Sequence, residues 1–240
     1  MIEDRDVTVH PGVHGDVAVL VPSAGLGVRL GPGEPKALRL LAGEPLLVHA
    51  VRRVAAAPCV GCVVVAAPPD AVDMVRALLI PVLRAGVALD VVAGGSSRQA
   101  SVAAALGRVP DGYDIVLVHD AARALAPAEL VERVAAAVRQ GGAAVVPVLA
   151  VVDTIKQVDD SGRVLGTVDR SALRAIQTPQ GFRRDVLLAA HAAAVDEHTD
   201  DAGLAEKLGV PVLTVPGDEA ALKITRPFDL AVAELLLARG

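Results

Sequence analysis

A segment rich in glycine and proline near the amino terminus, residues 21–36, carries the residue types that bind a triphosphate. It reads VPSAGLGVRLGPGEPK and follows a short apolar run, residues 17–21, that has the pattern of a buried strand. Glycine directly after a strand lets backbone N–H groups approach phosphate oxygens, because no side chain stands between them. Within the segment, Arg29 offers a planar fork of donors and Lys36 a compact positive charge. The segment therefore predicts a phosphate-binding loop.

Two commoner phosphate-binding loops fit this segment poorly. A P-loop requires Lys directly after Gly and then Ser or Thr, and the chain has no such sequence. The dinucleotide fingerprint is met at Gly25 and Gly27, but Gly31 comes one residue too late. The second predicted strand also ends without the acidic residue that holds the ribose of a nicotinamide cofactor. Composition alone would still allow a flexible surface loop, so the assignment depends on the rest of the chain.

The elements around this loop alternate between apolar runs and amphipathic segments. Strands are predicted at residues 17–21, 60–67, 88–93, 113–118, 143–149 and 211–215, and helices at residues 46–57, 69–83, 99–106, 127–139, 183–195 and 227–239, with a short helix ending at residue 208. Pro81 is a candidate break in the helix at 69–83. Strands that are apolar on both faces are typical of a mostly parallel sheet covered by helices. The sequence therefore predicts a Rossmann-like α/β fold, with a single domain at residues 17–240 after a loose tail at residues 1–16.

One segment departs from this alternation. Residues 159–162, DDSG, have the composition of a tight turn and separate two short runs at residues 154–158 and 163–167. The pattern predicts an inserted β-hairpin, an arm that spans about residues 150–175. A lone hairpin has no core of its own, so we expect the arm to contact another subunit.

Composition limits the partners that the protein can bind. The chain of 240 residues has a formal net charge of −5, so it lacks the basic field that a nucleic acid requires. Its start, MIEDRD, is unlike a secretory signal, and no apolar run reaches the roughly 18 residues of a membrane span. We therefore predict a cytoplasmic protein. Cys59 and Cys62 form a single C-x-x-C without the further ligands of a zinc site, and we interpret them as buried structural thiols.

Polar clusters follow three of the predicted strands: the glycine-rich loop itself, residues 96–101 and residues 119–123. Ligands of open parallel sheets bind beyond the carboxyl ends of the strands, which is the edge where these clusters would meet. Each cluster alone has a simpler explanation. The serine pair at 96–97 would serve as a helix N-cap, and Asp120 with Arg123 as a local ion pair. Their common position favours a binding site.

Seven short motifs, in order along the chain, resemble one enzyme family. Residues 22–30 with Pro35 and Lys36 are similar to the signature loop of nucleotidyltransferases that join a nucleoside triphosphate to a phosphorylated sugar or alcohol. The other six motifs are HDAAR at 119–123, DTIK at 153–156, TVDR at 167–170, QTPQ at 177–180, TDDA at 199–202 and KITRP at 223–227. Together they resemble the 2-C-methyl-D-erythritol 4-phosphate cytidylyltransferases of the non-mevalonate isoprenoid pathway, over roughly residues 17–238.

This resemblance implies a reaction, a cofactor and a set of site residues. Such an enzyme transfers CMP from CTP to 2-C-methyl-D-erythritol 4-phosphate with Mg²⁺ and releases pyrophosphate. Catalytic contacts to the reacting phosphates would come from Arg29, Lys36 and Lys223. Contacts to the nucleotide would come from Ser23, Ala24, Gly25, Gly27, Gly94, Gly95, Arg98, Ser101 and Ala121. Contacts to the polyol phosphate would come from Asp120, Arg123, Thr154, Arg170, Thr178 and Thr199. Of these, Thr154 and Arg170 lie on the predicted arm and would reach the substrate of the partner subunit.

The implied chemistry needs no general base, because the attacking phosphate is already an anion at neutral pH. We therefore interpret His119 as a support for the end of its strand. Mg²⁺ prefers phosphate oxygens together with one or two carboxylates, and the sequence shows no dedicated acidic cage. Asp120 is the one carboxylate that we consider as a metal ligand.

Other functions remain open on the sequence alone. A cytidylyltransferase for another polyol phosphate, such as ribitol 5-phosphate, would share the loop and the arm. A catalytically silent nucleotide-binding regulator is expected to have lost Arg29, Lys36 or Lys223, and all three are present. A nicotinamide dehydrogenase is disfavoured by the spacing of the glycines.

Overall fold

A computed structural model describes residues 15–25 and 35–238 of the chain. The strands in these residues are β1 (Val17–Pro22), β2 (Leu40–Leu41), β3 (Glu44–Pro45), β4 (Val60–Ala67), β5 (Ala88–Ala93), β6 (Ile115–Val118), β7 (Ala144–Ala150), β8 (Ile155–Val158), β9 (Val164–Val168), β10 (Arg174–Ile176), β11 (Gln180–Arg183) and β12 (Val212–Pro216). The α-helices are α1 (Leu46–Ala56), α2 (Val72–Leu79), α3 (Arg98–Leu106), α4 (Ala128–Arg139), α5 (Arg184–Ala193), α6 (Asp201–Lys207) and α7 (Pro227–Leu237). Gly27, Arg29 and most of the predicted amino-terminal tail lie outside the described residues.

Eight of these strands form one sheet in which parallel pairs predominate. β1 runs parallel to β4 and β6, β4 to β5, and β7 to β12, whereas β10 and β11 run antiparallel to their neighbours. The order across the sheet is β5-β4-β1-β6-β11-β7-β10, and β12 also pairs with β7. The predicted mostly parallel α/β sheet is therefore confirmed.

The central strand β1 is covered by helices on both faces of the sheet. Val19 belongs to a buried cluster that includes Val51 of α1 and Val134 of α4. Its neighbour Leu20 belongs to a cluster on the other face, with Val102 of α3. Successive side chains of a strand point to opposite faces, so a strand between two helical layers must be apolar throughout. This packing holds the carboxyl ends of β1, β4, β5 and β6 at one edge of the sheet.

The predicted bounds of the helices and strands agree with the structure to within a few residues, except at one helix. The helix expected at residues 69–83, with Pro81 as its candidate break, does end there, because α2 stops at Leu79 and a 3₁₀ turn follows at Ile80–Val82. Pro81 lies in that turn, and its missing N–H cannot continue the α-helical hydrogen bonds. Pro127, expected as the first residue of its helix, is the N-cap that precedes α4.

Two antiparallel features were not predicted from the sequence. β11 follows the cis peptide bond between Thr178 and Pro179 and inserts between β6 and β7. This strand is only four residues long and contains Gln180, so its pattern is too short and too polar to stand out. The β2–β3 pair turns at Ala42 and Gly43, whose φ angles are +48° and +84°.

The predicted arm is a hairpin of β8 and β9, which pair with each other and with no strand of the main sheet. Asp159 closes the turn, because its Oδ1 accepts hydrogen bonds from the backbone N–H groups of Ser161 at 3.1 Å and Arg163 at 2.9 Å. Leu165 stays 56% exposed on this hairpin. The hairpin is confirmed, whereas its contact with another subunit stays a prediction.

Cys59 and Cys62 are buried and free, as interpreted from the sequence. Burial raises the pKa of both thiols to about 12, so neither forms a reactive thiolate near neutral pH. None of the helices in the described part of the chain is long and apolar enough to cross a membrane.

Candidate active site

A cavity of about 310 Å³ opens at the carboxyl ends of β1, β5 and β6. Its walls combine the three polar clusters with the segment around Lys223, which reaches the cavity from the last part of the chain. The described residues that line it are Pro22, Ser23, Ala24, Gly25, Lys36, Ala37, Gly95, Ser96, Ser97, Arg98, Ser101, Asp120, Ala121, Ala122 and Lys223. Most of the residues predicted to bind the nucleotide therefore lie around one space.

Ser23, the residue after β1, is hydrogen-bonded to the neighbouring strand β4. The backbone N–H and the hydroxyl of Ser23 both donate to the carbonyl oxygen of Ala66, each at 2.8 Å. The Ser23 side chain is thereby used inside the protein. Beyond this anchor, Ala24 and Gly25 line the cavity, where backbone groups and small side chains leave room for a ligand.

The loop after β5 approaches the loop after β1 very closely. Gly94 donates its N–H to the carbonyl oxygen of Ala67 at 2.7 Å, which holds it beside the end of β4. A Cβ atom built on Gly94 would lie 2.5 Å from the Cβ of Ala24. Real side chains do not approach this closely, so any residue larger than glycine at position 94 would push the two loops apart.

Ser97 and Ser101 fix the next turn of this loop. The Oγ of Ser97 accepts the N–H of Ala100 at 3.1 Å, so the predicted N-cap of α3 is confirmed at Ser97. The hydroxyl of Ser101 donates to the carbonyl oxygen of Ser97 at 2.8 Å and accepts the N–H of Gly95 at 3.1 Å. Helix capping and cavity lining are therefore performed by the same serine cluster.

Asp120 is the carboxylate of the cavity wall, and it is shared between two cations. Its Oδ1 accepts from Nε of Arg98 at 3.1 Å, and its Oδ2 accepts from Nζ of Lys223 at 2.8 Å. Burial alone would raise the pKa of Asp120, but the charges and hydrogen bonds of Arg98 and Lys223 outweigh it. The pKa of Asp120 therefore lies well below its usual value. The site thus holds a fixed negative charge between two positive ones.

Arg123 does not form the local ion pair with Asp120 that was considered from the sequence. Its Nη1 donates to the carbonyl oxygen of Ala221 at 2.7 Å, and its Nη2 donates to that of Ile176 at 2.9 Å. The residue is only 9% exposed and is not among the cavity-lining residues. Arg123 consequently ties two backbone segments together, and a direct contact with substrate stays a prediction that this geometry does not favour.

Thr178 and His119 form a buried support behind Asp120. The Oγ1 of Thr178 accepts the backbone N–H of Asp120 at 3.0 Å and lies 3.2 Å from Nδ1 of His119. Burial lowers the pKa of His119 to about 4, and its Nε2 has no hydrogen-bond partner among the residues that the structure describes. His119 is thus a neutral, fully buried ring, in agreement with its interpretation as a support for the strand end.

The remaining predicted residues lie elsewhere or outside the described part. Thr154 and Arg170 are exposed on the arm, and Thr199 is exposed in the loop before α6. None of these three lines the cavity of its own chain. Lys36 does line it, at the start of a 3₁₀ turn, Lys36–Leu38.

Asp201 is a site-related residue that the sequence reasoning did not identify. Its Oδ2 accepts from Nη1 of Arg98 at 2.7 Å, and its Oδ1 lies 3.0 Å from Nε2 of His191. The side chain of Asp201 is only 1% exposed. The sequence carries one signal for it, the acidic pair at 200–201. Asp200 caps helix α6, and a second carboxylate that is buried beside it must be paired with a cation.

Comparison with known proteins identifies the family. The family model for 2-C-methyl-D-erythritol 4-phosphate cytidylyltransferase (IspD) matches residues 17–239. The chain belongs to this family. The family predicted from the seven motifs is therefore confirmed, while the roles of the individual site residues stay predictions.

Relatives of that name share about half of their residues with this chain. The cytidylyltransferase of Saccharopolyspora erythraea is 57% identical over 226 residues, which cover 92% of this chain and 99% of the relative. That of Frankia casuarinae is 56% identical over 223 residues, with 93% and 82% covered. The crystal structure of the enzyme from Thermus thermophilus is 41% identical, covers 93% of this chain and 99% of that chain, and superposes with a TM-score of 0.74.

Proposed function

We propose that this protein transfers CMP from CTP to 2-C-methyl-D-erythritol 4-phosphate and releases pyrophosphate. The observation that carries the proposal is the composition of one cavity. It joins the small residues of the loop after β1 to Lys36, Lys223 and Asp120. Two lysines that line one cavity, Lys36 and Lys223, suit a reaction between two phosphate-bearing substrates.

The reaction joins two anions, so the cavity must offset their repulsion. A phosphate oxygen of the polyol phosphate attacks the α-phosphorus of CTP, and the bond from that phosphorus to the bridging oxygen of pyrophosphate breaks. Lys36 would stabilise the charge that develops on the leaving pyrophosphate, together with Arg29 outside the described residues. Lys223 would hold the attacking phosphate.

No general base is required in this scheme, because the attacking phosphate is ionised at neutral pH. His119 is fully buried and neutral, which agrees with a structural role. Small backbone-lined walls at Ala24, Gly25 and Gly95 would receive the nucleotide. Asp120 would accept hydrogen bonds from hydroxyl groups of the polyol and would also orient Lys223.

Mg²⁺ would be held mainly by the phosphates of CTP. Among the described residues, no group of three or more His, Cys, Asp and Glu side chains is placed to hold a metal ion. Asp120 is the one carboxylate in the described cavity wall, and both of its oxygens already accept from Arg98 and Lys223. This arrangement suits an ion that brings its own phosphate ligands, and the bound ion would neutralise phosphate charge.

The arm supports the proposal of a homodimer. A two-stranded hairpin is marginal by itself, and this one exposes apolar side chains, with Val158 at 53%, Val164 at 55% and Leu165 at 56%. In a dimer, Thr154 and Arg170 would then contact the substrate in the cavity of the partner subunit.

Product analysis by phosphorus NMR tests the proposed reaction. Incubation with CTP, Mg²⁺ and 2-C-methyl-D-erythritol 4-phosphate should produce pyrophosphate and a new diphosphate that links cytidine to the polyol. Formation of free CMP in place of the new diphosphate would instead indicate hydrolysis. Absence of any product from folded protein would favour the catalytically silent regulator.

A further inference from the structure

A line of five polar or charged side chains runs from helix α5 to the cavity. Nε2 of His191 lies 3.0 Å from Oδ1 of Asp201, and Oδ2 of Asp201 accepts from Nη1 of Arg98 at 2.7 Å. Nε of Arg98 donates to Oδ1 of Asp120 at 3.1 Å, and Nζ of Lys223 lies 2.8 Å from Oδ2 of Asp120. His191 and Asp201 lie behind the cavity wall, because neither is among the residues that line it.

The orientation of the Arg98 guanidinium decides how Asp120 is shared between Arg98 and Lys223. Arginine can place two parallel N–H groups on both oxygens of one carboxylate. Arg98 offers Asp120 a hydrogen bond from Nε to Oδ1, while its Nη1 is held by Asp201, which fixes the orientation of the guanidinium plane. The second oxygen of Asp120 is therefore left for Lys223.

We propose that Asp201, held by His191, is a positioning residue for the transfer reaction. It holds the guanidinium of Arg98 in the orientation in which Nε meets only Oδ1 of Asp120, and so leaves Oδ2 to Lys223 beside the cavity. The inference rests on the proposed function, in which Lys223 holds the attacking phosphate.

Burial argues that these contacts are well defined. The side chains of Asp201 and His191 are 1% and 7% exposed, so water does not compete strongly for their hydrogen bonds. A carboxylate with so little exposure is costly unless it is paired. Loss of its charge would leave Arg98 with one carboxylate partner among the described residues, Asp120, and the released guanidinium could turn to place Nε and Nη2 on both oxygens of Asp120.

Asp90 provides a matched control within the same chain. Its side chain is 3% exposed, with Nε of Arg108 at 2.7 Å and Nη2 of Arg76 at 3.6 Å. Asp90, Arg76 and Arg108 are absent from the cavity wall. Asp90→Asn thus removes a buried charge of the same kind without touching the line to Lys223.

The first experiment compares Asp201→Asn with Asp90→Asn. We expect both variants to lower Tm. Only Asp201→Asn should lower kcat/KM for the polyol phosphate, by about tenfold or more, because a misplaced group near the reacting atoms is costly. An Asp201→Asn enzyme with the kcat/KM of the wild type would overturn the proposal. Equal losses of kcat/KM in the two variants would also overturn it, since they would indicate a general loss of rigidity.

A double-mutant cycle with Lys223→Ala tests the route of the effect. If Asp201 acts through Lys223, Asp201→Asn should change kcat/KM by no more than about twofold once Lys223 is absent. If the two losses multiply, Asp201 acts by another route and the proposal fails.

His191 supplies a milder pair of variants should Asp201→Asn fail to fold. Gln can replace the Nε2 donor of His191, whereas Leu cannot. We expect His191→Gln to retain kcat/KM for the polyol phosphate and His191→Leu to lower it. Equal activity of the two variants would contradict a positioning role. The wild-type enzyme measured alongside separates this result from a failure of the proposed function, because inactivity of the wild type would refute the function itself.

Discussion

Nη1 of Arg123 donates a hydrogen bond of 2.7 Å to the carbonyl oxygen of Ala221, two residues before Lys223. Its Nη2 donates to the carbonyl oxygen of Ile176 at 2.9 Å, where β10 returns from the arm. One buried side chain thereby fastens the segment that carries a proposed catalytic lysine to the strand that follows the arm. Arg123 acts on the site through backbone position.

Arg123→Lys should reduce both stability and turnover. A lysine ammonium cannot serve both carbonyl oxygens with the geometry of the guanidinium fork. One carbonyl would lose its donor, at a cost of about 1–3 kcal/mol, which corresponds to a fall in Tm of about 5 °C. Thermal unfolding and steady-state kinetics measure the two effects.

Arg133→Lys is the control for this substitution. Nη1 of Arg133 also donates to a backbone carbonyl oxygen, that of Pro216 at 2.7 Å, but this bond is exposed. Water can replace the lost donor there, so we expect little change in Tm or turnover. An Arg123→Lys protein as stable and active as Arg133→Lys would show that the buried tie is unimportant.

Gly94→Ala should weaken the binding of CTP. The new Cβ would lie 2.5 Å from the Cβ of Ala24 and 3.0 Å from Oγ of Ser101, so the two loops must separate. We expect the Kd for CTP to rise about tenfold or more, because the nucleotide pocket is formed by those loops. Isothermal titration calorimetry measures this Kd directly.

Gly107→Ala is the matched control for the glycine substitution. Gly107 follows α3 with a helical φ of −65°, and an added Cβ would be 3.7 Å from its nearest neighbours. Alanine is acceptable at such a position, so we expect the affinity of the wild type. If Gly94→Ala binds CTP equally well, the close approach of the two loops does not define the pocket.

Acid should destabilise the protein through His119 before it affects Asp120. The pKa of His119 falls from 6.5 to about 4 on burial, so the unfolded chain binds the proton first. Stability is therefore fully present above pH 6.5 and decreases as the pH falls towards 4, by up to about 3 kcal/mol. The lowered pKa of Asp120 acts at lower pH, where stability is lost as its carboxyl becomes protonated.

His119→Asn tests this pH dependence. Asn can keep a hydrogen bond to Thr178 but has no group that titrates in this range. Urea unfolding at several pH values should give a smaller loss of free energy between pH 6.5 and 4 than in the wild type. If the free energy of unfolding falls equally with pH in the two proteins, His119 is not the source of the acid destabilisation.

The arm should complete the active site of the partner subunit. Lys36→Ala should reduce turnover by about 10²-fold, the scale of one lost transition-state donor, and Arg170→Ala should also be defective. In a heterodimer of the two variants, one cavity retains its Lys36 and receives an intact Arg170 from the partner subunit. We expect about half of the wild-type activity per dimer, since one of two symmetric sites is intact.

The heterodimer can be purified after co-expression with two different affinity tags. If Arg170 served its own chain, both cavities of the heterodimer would be defective. Activity no higher than that of the more active homodimer would therefore contradict the exchange of arms. Failure to recover any mixed dimer, with both variants folded, would contradict the dimer itself.

The sequence predicts the strands of the sheet well because their signals are local. The bounds of β4 and β5 were predicted to the residue, since continuous apolar runs end at prolines or glycines. The clusters after β1, β5 and β6 meet at one cavity, as the rule for parallel sheets predicts.

The contacts behind the site depend on tertiary packing and could not be predicted. Asp201 and Arg98 are 103 residues apart in the sequence, so their pairing requires the docking of α6 beside α3. Thr178 was expected to face the substrate, yet its hydroxyl holds the N–H of Asp120 inside the protein. Strand β11 was also not predicted, because it forms by pairing with β6 on one side and β7 on the other.

The proposed function requires the cavity to join CTP to one particular polyol phosphate. The most direct measurement is the rate of pyrophosphate release from CTP and Mg²⁺, with 2-C-methyl-D-erythritol 4-phosphate and ribitol 5-phosphate offered in parallel. We expect release with the methylerythritol phosphate only, and we expect Lys36→Ala to reduce this release by about 10²-fold. Release with ribitol 5-phosphate alone would contradict the assigned substrate, and no release with either from folded protein would contradict the assigned reaction.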